Sequence, residues 1–342
     1  MTKRQISFIS FSVIATVASL WLFVPWGIVK TRLMPLPGGV QEQVDYSAAH
    51  GLYGVTVYIQ RSDRAPEFYA SGWKDAVNKV PADPHALFEI ASITKLYIAT
   101  AVAKLADNGT LSLNDTLIDF FPKEAQRIEY ADQITVAQMV QHRSGLRNFT
   151  DEPEFSWVGE AHPKPLEIIA GKPAEFAPGT GHHYSNTNYY LLARIIDQTL
   201  GYSHKAYISN TILKPLGLTN TYGSFHEVAP EKIASGYDVG SYPFDFKLIN
   251  DCCMVATAED VGIFLRALND GTLFTASEQA IYASIYAYEH TGLLPGYSSI
   301  ARYDKDIDTV VVLFSNTSGG KSWGMVEATY DRILQILRKR GA

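Results

Sequence analysis

The chain is organised around the stretch Phe88-Glu89-Ile90-Ala91-Ser92-Ile93-Thr94-Lys95, which continues into the apolar residues 96–105. A turn-like segment with two prolines precedes it, and Asn108-Gly109 supplies a helix C-cap. We therefore predict that residues 88–95 form one turn of a helix, in which Ser92 and Lys95, three residues apart, share one face. Free NH groups at a helix start favour an oxyanion, so the pattern indicates a nucleophile, Ser92, and its activator, Lys95.

Other nucleophile motifs in the chain lack this context. Ser-x-x-Lys recurs at Ser71-Lys74 and at Ser318-Lys321, without the preceding turn and the following helix. Residues 320–324 match the G-x-S-x-G elbow through Ser322, but the last histidine, His290, precedes this serine, so a Ser, Asp, His order cannot be completed. Residues 315–322 are one residue short of a P-loop. We therefore expect neither Ser318 nor Ser322 to be the nucleophile.

The composition excludes several classes of partner. Of 342 residues, 46% are hydrophobic and 19% charged, which is typical of a globular protein with a large core. Lys and Arg total 29 against 35 acidic residues, and no basic stripe follows the chain, so we predict no nucleic-acid partner. The nine histidines show no metal-ligand spacing, and we predict no metal, no cofactor and no obligate protein partner.

The N-terminal residues are typical of a membrane helix. Residues 6–29 carry no charge, follow Lys3-Arg4, and contain Trp21 and Trp26 towards their end. A cleaved signal peptide is the alternative, although no Ala-x-Ala site lies between residues 21 and 47. We predict an N-terminal membrane anchor over 1–32, a Pro- and Gly-containing linker over 33–46, and one catalytic domain over 47–342.

Strand patterns lie near both ends of the chain and helical patterns lie between them. This indicates an α/β (α+β) fold, with an antiparallel sheet built from both chain ends, flanked by helices, and an inserted helical lobe. The predicted strands are Gly54–Ile59, Glu67–Gly72, Ile285–Thr291, Tyr297–Tyr303 and Thr309–Phe314. The predicted helices beyond Ser92 are Thr135–His142, Asn188–Leu200, Thr257–Leu268 and Ser322–Arg338. The two cysteines, Cys252 and Cys253, are adjacent and too close for an ordinary disulfide, so we expect two buried thiols.

Two further segments carry chemistry. Tyr184-Ser185-Asn186 follows a Gly- and His-rich loop just before a predicted helix, so Tyr184 projects from a rigid turn and can move a proton. His290-Thr291-Gly292 ends a predicted strand, where backbone NH groups can face a carbonyl oxygen, Thr291 offers a hydroxyl and His290 a switchable charge.

In the order Ser92-x-x-Lys95, Tyr184-x-Asn186, His290-Thr291-Gly292, these segments resemble the three motifs of the serine beta-lactamase and penicillin-binding-protein superfamily. The tyrosine in the second motif is similar to class C beta-lactamases, DD-peptidases and related esterases. Supporting segments at 140–146, 254–260 and 295–299 also resemble that branch. This chain departs from the pattern in having histidine at His290, where the beta-lactamases have lysine, and Cys252-Cys253 in place of a small pair before Met254.

The resemblance implies an acyl-enzyme mechanism in which Ser92 attacks a carbonyl, assisted by Lys95 and Tyr184. It implies that Asn186 holds the substrate amide, and that the NH groups of Ser92 and Leu293 bind the oxyanion. The expected substrates are D-alanyl peptides of peptidoglycan or beta-lactams. The alternatives are small esters and, in another class, a membrane-tethered penicillin-binding sensor without turnover.

The resemblance also bears on location and on pH. We expect a single-pass protein of the inner (cytoplasmic) membrane with its catalytic domain in the periplasm, or else a secreted protein released by signal cleavage. Because His290 replaces a lysine, we expect activity to depend on an ionisation at roughly pH 6 to 7.

Overall fold

The computed structural model describes residues 3–158, 164–240, 245–249 and 252–341. The α-helices in these ranges are α1 Lys3–Phe23, α2 Trp26–Leu33, α3 Val40–Ala49, α4 Thr94–Asp107, α5 Leu117–Phe120, α6 Val136–Val140, α7 Pro165–Ile169, α8 Asn186–Leu200, α9 His204–Ile208, α10 Ala258–Asp270, α11 Ala276–Ile285 and α12 Ser322–Gly341. The strands are β1 Gly54–Arg61, β2 Glu67–Asp75, β3 Val80–Pro81, β4 Phe88–Glu89, β5 Thr221–Tyr222, β6 Tyr237–Asp238, β7 Val255–Ala256, β8 His290–Leu294, β9 Tyr297–Asp304, β10 Thr309–Ser315 and β11 Thr317–Ser318.

The central sheet has the strand order β3-β2-β1-β10-β9-β8, and every neighbouring pair in it is antiparallel. β1 lies beside β10, with Val55 opposite Ser315 and Arg61 opposite Thr309. The first and last parts of the chain therefore form one sheet, and α4 to α9 are inserted between them. This confirms the predicted fold class.

Both faces of the sheet are covered, because alternate side chains of a strand point to opposite sides. Val55 and Val57 of β1 pack in a cluster with residues of α3 and α12. Tyr58 packs on the other side, in the main core that contains α4 and α10. The sheet is thus the middle layer, and β8 forms the edge that faces the helical lobe.

The approach to α4 differs from our prediction. Residues 88–95 are not one helical turn, because Phe88–Glu89 pair with Val255–Ala256 as strands. The NH of Ile90 donates to the carbonyl of Met254 at 3.0 Å, which keeps the backbone extended up to that point. A 3-10 turn, Ala91–Ile93, then leads into α4. The helix itself is confirmed, and nearly all of it is buried.

Two other predicted elements need correction. The helix expected over Thr135–His142 is shorter, with Val136–Val140 as α6. The strand expected over Ile285–Thr291 is wrong in its first part, because α11 ends at Ile285 and β8 begins only at His290. A reciprocal capping box between Thr275 and Glu278 starts α11. Residues 286–289 lie outside both elements, and side chains bind their carbonyls: the Tyr282 hydroxyl donates to Ala287 at 2.6 Å and Asn269 Nδ2 donates to Tyr288 at 3.0 Å.

The uncharged N-terminal stretch forms two helices and not the single helix that we predicted. α1 ends before Pro25, as expected for a residue that cannot continue a helix, and α2 follows at an angle of 79°. No single helix among the described residues is long and apolar enough to cross a membrane, whereas the bent pair Phe8–Phe23 and Trp26–Leu33 passes by length and composition together. A signal sequence has the same properties.

Part of the segment that we expected to be a linker is folded. Val40–Ala49 form α3, and Val40 and Val44 are fully buried in the cluster with α12. The Arg332 guanidinium of α12 binds Gln43 and the carbonyls of Met34 and Pro35. These contacts fix residues 34–49 against the last helix.

Candidate active site

Three elements meet at one edge of the sheet. Ser92 lies in the 3-10 turn before α4, Asn186 is the first residue of α8, and β8 runs past both on the sheet edge. Ala91, directly before the serine, has a φ of 50°, a left-handed conformation that costs a non-glycine residue roughly 1–2 kcal/mol. Such strain is common where the backbone must present a reactive side chain.

Ser92 lies within hydrogen-bond distance of both predicted partners. The Tyr184 hydroxyl donates to Ser92 Oγ at 2.6 Å, and Lys95 Nζ donates to the same oxygen at 3.0 Å. Lys95 Nζ also donates to Asn186 Oδ1 at 2.8 Å. The first two predicted motifs therefore form one hydrogen-bonded cluster around the serine hydroxyl.

Lys95 is buried although it is a lysine, with 7% of its surface exposed. Its amine lies 5.0 Å from the ring centroid of Tyr184 and 5.5 Å from that of Tyr189. Aromatic faces and the Asn186 amide oxygen thus surround Lys95 Nζ. This environment leaves Nζ directed at Ser92.

Asn186 is itself held by two residues that the sequence analysis missed. Its NH donates to Asn148 Oδ1 at 2.9 Å, and its Nδ2 donates to Thr150 Oγ1 at 3.1 Å. These contacts orient the amide so that its oxygen faces Lys95. No local sequence signal marks Asn148 or Thr150, because their contacts arise only when the lobe folds.

The third motif lies against the serine turn. A Cβ on Gly292 would come within 2.3 Å of Ser299 Oγ and 2.6 Å of the Ile90 carbonyl oxygen, so only glycine allows β8 to approach this closely. Thr291 is half-buried, and Leu293, one residue after the glycine, has 55% of its surface exposed at the cleft edge. The structure therefore brings all three predicted motifs together.

His290 differs from our expectation. Its Nδ1 donates to the Thr291 carbonyl, and its Nε2 accepts from the Tyr286 hydroxyl at 2.9 Å. Burial, reinforced by Lys95, lowers the pKa of His290 to about 4. The imidazole is therefore neutral at pH 7 with both nitrogens engaged, and it does not provide the switch at pH 6 to 7 that we predicted.

A further histidine, His142, lies beneath Tyr184, with their ring centroids 4.4 Å apart. His142 belongs to the segment 140–146, whose resemblance to the superfamily assigns this histidine no role. Among the described residues, no cluster of three or more His, Cys, Asp or Glu side chains is placed to hold a metal ion.

The cysteine pair lies next to the backbone that supports the serine turn. Both thiols are free, and Cys252 is exposed, which differs from the two buried side chains that we expected. The next residue, Met254, donates its NH to Thr94 Oγ1 at 3.0 Å. The segment therefore braces the start of α4 through its backbone.

This arrangement is that of a beta-lactamase-related serine hydrolase: the sheet is built from both chain ends, and Ser92, Lys95 and Tyr184 form one cluster. The Beta-lactamase family model matches residues 40–284, and the chain belongs to that family. The matched range ends before β8, so the placement of His290–Leu293 in the site rests on the structure.

Known relatives agree with this class. Protein flp of Staphylococcus aureus (strain NCTC 8325 / PS 47) is 31% identical over 241 residues, 66% of this chain and 48% of that protein. The chain thus matches about half the length of this relative. The putative penicillin-binding protein PbpX of Bacillus subtilis (strain 168) is 25% identical over 306 residues, 83% of this chain and 75% of that protein.

A solved structure extends the similarity to the whole fold. The D-amino acid amidase from Ochrobactrum anthropi SV3, complexed with L-phenylalanine amide, superposes with a TM-score of 0.78 at 26% identity. The match covers 89% of this chain and 98% of the amidase.

Proposed function

We propose that this protein hydrolyses amide or ester bonds through an acyl-enzyme on Ser92. The observation that carries the proposal is the convergence of Tyr184 and Lys95 on Ser92 Oγ, at 2.6 and 3.0 Å. Ser92 Oγ attacks the carbonyl carbon, and its proton passes through Tyr184 or Lys95 to the departing amine or alcohol. Water then attacks the acyl ester, the carboxylic acid leaves, and Ser92 regains its proton.

The oxyanion needs donors opposite the attacking oxygen. The NH groups of Ser92 and Leu293 are our candidates, because Gly292 brings β8 against the serine turn. Removal of one such donor typically costs about a hundredfold or more in kcat. Asn186 is our candidate to contact the substrate amide, from a side chain already oriented by Lys95 and Thr150.

We propose amides and esters without a carboxylate close to the attacked carbonyl as the preferred substrates. D-alanyl peptides and penicillins carry a free carboxylate close to the carbonyl that is attacked. A carboxylate beside His290 would meet a neutral imidazole whose two nitrogens already bind Thr291 and Tyr286. A charge-assisted hydrogen bond contributes about 1.5–3 kcal/mol, and its loss lowers the preference for such substrates by about tenfold or more. The similarity to a D-amino acid amidase supports the same choice.

Turnover of a small panel tests the proposal. The full-length protein is incubated with D-phenylalanine amide, p-nitrophenyl acetate, benzylpenicillin and a tripeptide that ends in D-alanyl-D-alanine. We expect kcat/KM for the amide or the ester to exceed that for the two carboxylates by about tenfold or more. Equal or higher values for the carboxylates would contradict the substrate choice. A single acylation without turnover of any compound would favour the non-catalytic sensor.

We also propose that α1 and α2 anchor the protein in the inner membrane, with the catalytic domain outside the cytoplasm. α1 exposes large apolar side chains, among them Phe11, Trp21 and Phe23, each more than 70% exposed. N-terminal sequencing of the mature protein tests the anchor, since an N-terminus after residue 29 would show cleavage. A C-terminal reporter that is active in the cytoplasm would contradict the orientation.

A further inference from the structure

His142 is joined to both neighbours of Tyr184. The NH of His183 donates to the His142 carbonyl at 3.0 Å, and the NH of Ser185 donates to His142 Nδ1 at 3.1 Å. Between these two contacts, the His142 ring lies under the Tyr184 ring, with centroids 4.4 Å apart and planes inclined by 30°. One residue thus holds the backbone on either side of Tyr184 and one face of its ring.

The chemical state of His142 is defined by these contacts. Because Nδ1 accepts from Ser185, the ring proton of the neutral imidazole resides on Nε2. Burial lowers the pKa of His142 to about 3, and the positive charge of Lys95 acts in the same direction. His142 is therefore a neutral aromatic ring at pH 7, and it exchanges no proton with Ser92.

Tyr184 depends on this support. It is 36% exposed, and its ring centroid also lies 5.0 Å from Lys95 Nζ and 6.4 Å from the ring centroid of His290. Its hydroxyl must nevertheless stay within 2.6 Å of Ser92 Oγ. His142, only 4% exposed, is the well-packed surface against which the phenol rests.

We propose that His142 is a positioning residue for Tyr184, and that its backbone clamp and ring contact hold the phenol at Ser92 for proton transfer. This inference rests on the proposed function. His142 touches no reacting atom, so its effect is on the rate of acylation and not on substrate binding. A shift of about 1 Å in a catalytic group can lower the rate by about a hundredfold.

The experiment compares two substitutions and a control in the full-length protein. His142→Ala removes the acceptor and the ring, whereas the amide oxygen of His142→Asn can still accept from the NH of Ser185. His182→Ala is the control, because His182 is an exposed histidine next to His142, with ring centroids 6.2 Å apart. Stopped-flow acylation at several concentrations of p-nitrophenyl acetate gives the acylation rate constant and the dissociation constant of the substrate, and circular dichroism confirms the fold.

We expect His142→Ala to lower the acylation rate constant by about ten- to a hundredfold, with the dissociation constant of the substrate within about threefold. His142→Asn should recover part of this loss, and His182→Ala should stay within about twofold of the unsubstituted protein. In a Tyr184→Phe background, His142→Asn and His142→Ala should have little further effect, since two residues that act as a unit are non-additive.

An equal loss in the unsubstituted protein and in the Tyr184→Phe background would overturn the proposal, and so would a rise in the dissociation constant of the substrate at constant acylation rate constant. If His142→Ala does not fold, His142→Asn in the two backgrounds gives the same answer. Absence of acylation in the unsubstituted protein would instead contradict the proposed function. If the unsubstituted protein is acylated and its His142 variants are acylated equally fast, the positioning role of His142 is contradicted and the proposed function is not.

Discussion

Lowering the pH from 7 to 4.5 tests the burial of His290, because the structure holds this imidazole neutral. The pKa of His290 is lowered to about 4 by burial, whereas an unfolded histidine titrates near 6.5. Between these values the unfolded chain binds a proton that the folded chain does not bind. The free energy of unfolding therefore falls as the pH drops below 6.5, and the loss from this residue levels off below pH 4.

The size of this effect follows from the difference in pKa. Each unit of difference between the folded and the unfolded pKa corresponds to about 1.4 kcal/mol. Between pH 7 and pH 4.5, protonation of His290 in the unfolded chain should therefore lower the free energy of unfolding by about 2 kcal/mol. His142, whose pKa is lowered to about 3 by burial, should add a similar loss. Other groups titrate in the same range, so only the difference between two variants isolates His290.

The assay is urea unfolding of the full-length protein and of His290→Gln, in a mild non-ionic detergent because α1 is apolar. Glutamine keeps a hydrogen-bonding side chain near Tyr286 but does not titrate. We expect the unsubstituted protein to lose about 2 kcal/mol more than His290→Gln between pH 7 and pH 4.5. Equal losses in the two proteins would refute the reasoning and show that His290 titrates normally in the fold.

Three further outcomes follow. The profiles of kcat/KM for the unsubstituted protein and His290→Gln should have the same shape between pH 6 and pH 8, and a limb that disappears in the variant would restore our original expectation. Lys95→Ala should lower kcat by about a thousandfold or more while circular dichroism stays unchanged; Lys104→Ala, on the same helix but paired with Glu278, is the control and should keep its activity. Gly292→Ala should lower acylation by about tenfold or more and reduce the melting temperature, because its Cβ meets Ser299 and Ile90; Gly27→Ala, whose Cβ meets nothing within 4 Å, should change neither.

The sheet and the order of the three motifs could be predicted because they depend on local patterns. Residues 310–314 form an uninterrupted apolar run, and every one of them is buried in the structure. Ser92 and Lys95 are singled out by their spacing and the local sequence around them, and in the structure Lys95 Nζ lies 3.0 Å from Ser92 Oγ. The strand prediction failed over residues 286–289 because their alternation resembles a strand, whereas side chains of Tyr282 and Asn269 bind the carbonyls of Ala287 and Tyr288.

The contacts that shape the site could not be read from the sequence. His290 is neutral at pH 7 because burial, reinforced by the charge of Lys95, lowers its pKa, and neither its burial nor the approach of Lys95 has a signature that composition or spacing reveals. His142 lies 42 residues from Tyr184 and reaches it only through the tertiary fold. Burial and hydrogen-bond partners of this kind set protonation states, so a motif alone predicts the residue type and not its charge.

The position of the acyl group tests the central claim most directly. The full-length protein is mixed with p-nitrophenyl acetate and with benzylpenicillin, quenched in acid and mapped by peptide mass spectrometry. Ser318 donates to Asp238 and Ser322 donates to the Gly319 carbonyl, so Ser318→Ala and Ser322→Ala should still acylate within about tenfold of the unsubstituted rate. We predict one adduct, on the peptide that contains Ser92, and its loss by about a thousandfold or more in Ser92→Ala. An adduct on any other serine, or an unchanged adduct in Ser92→Ala, would contradict the account.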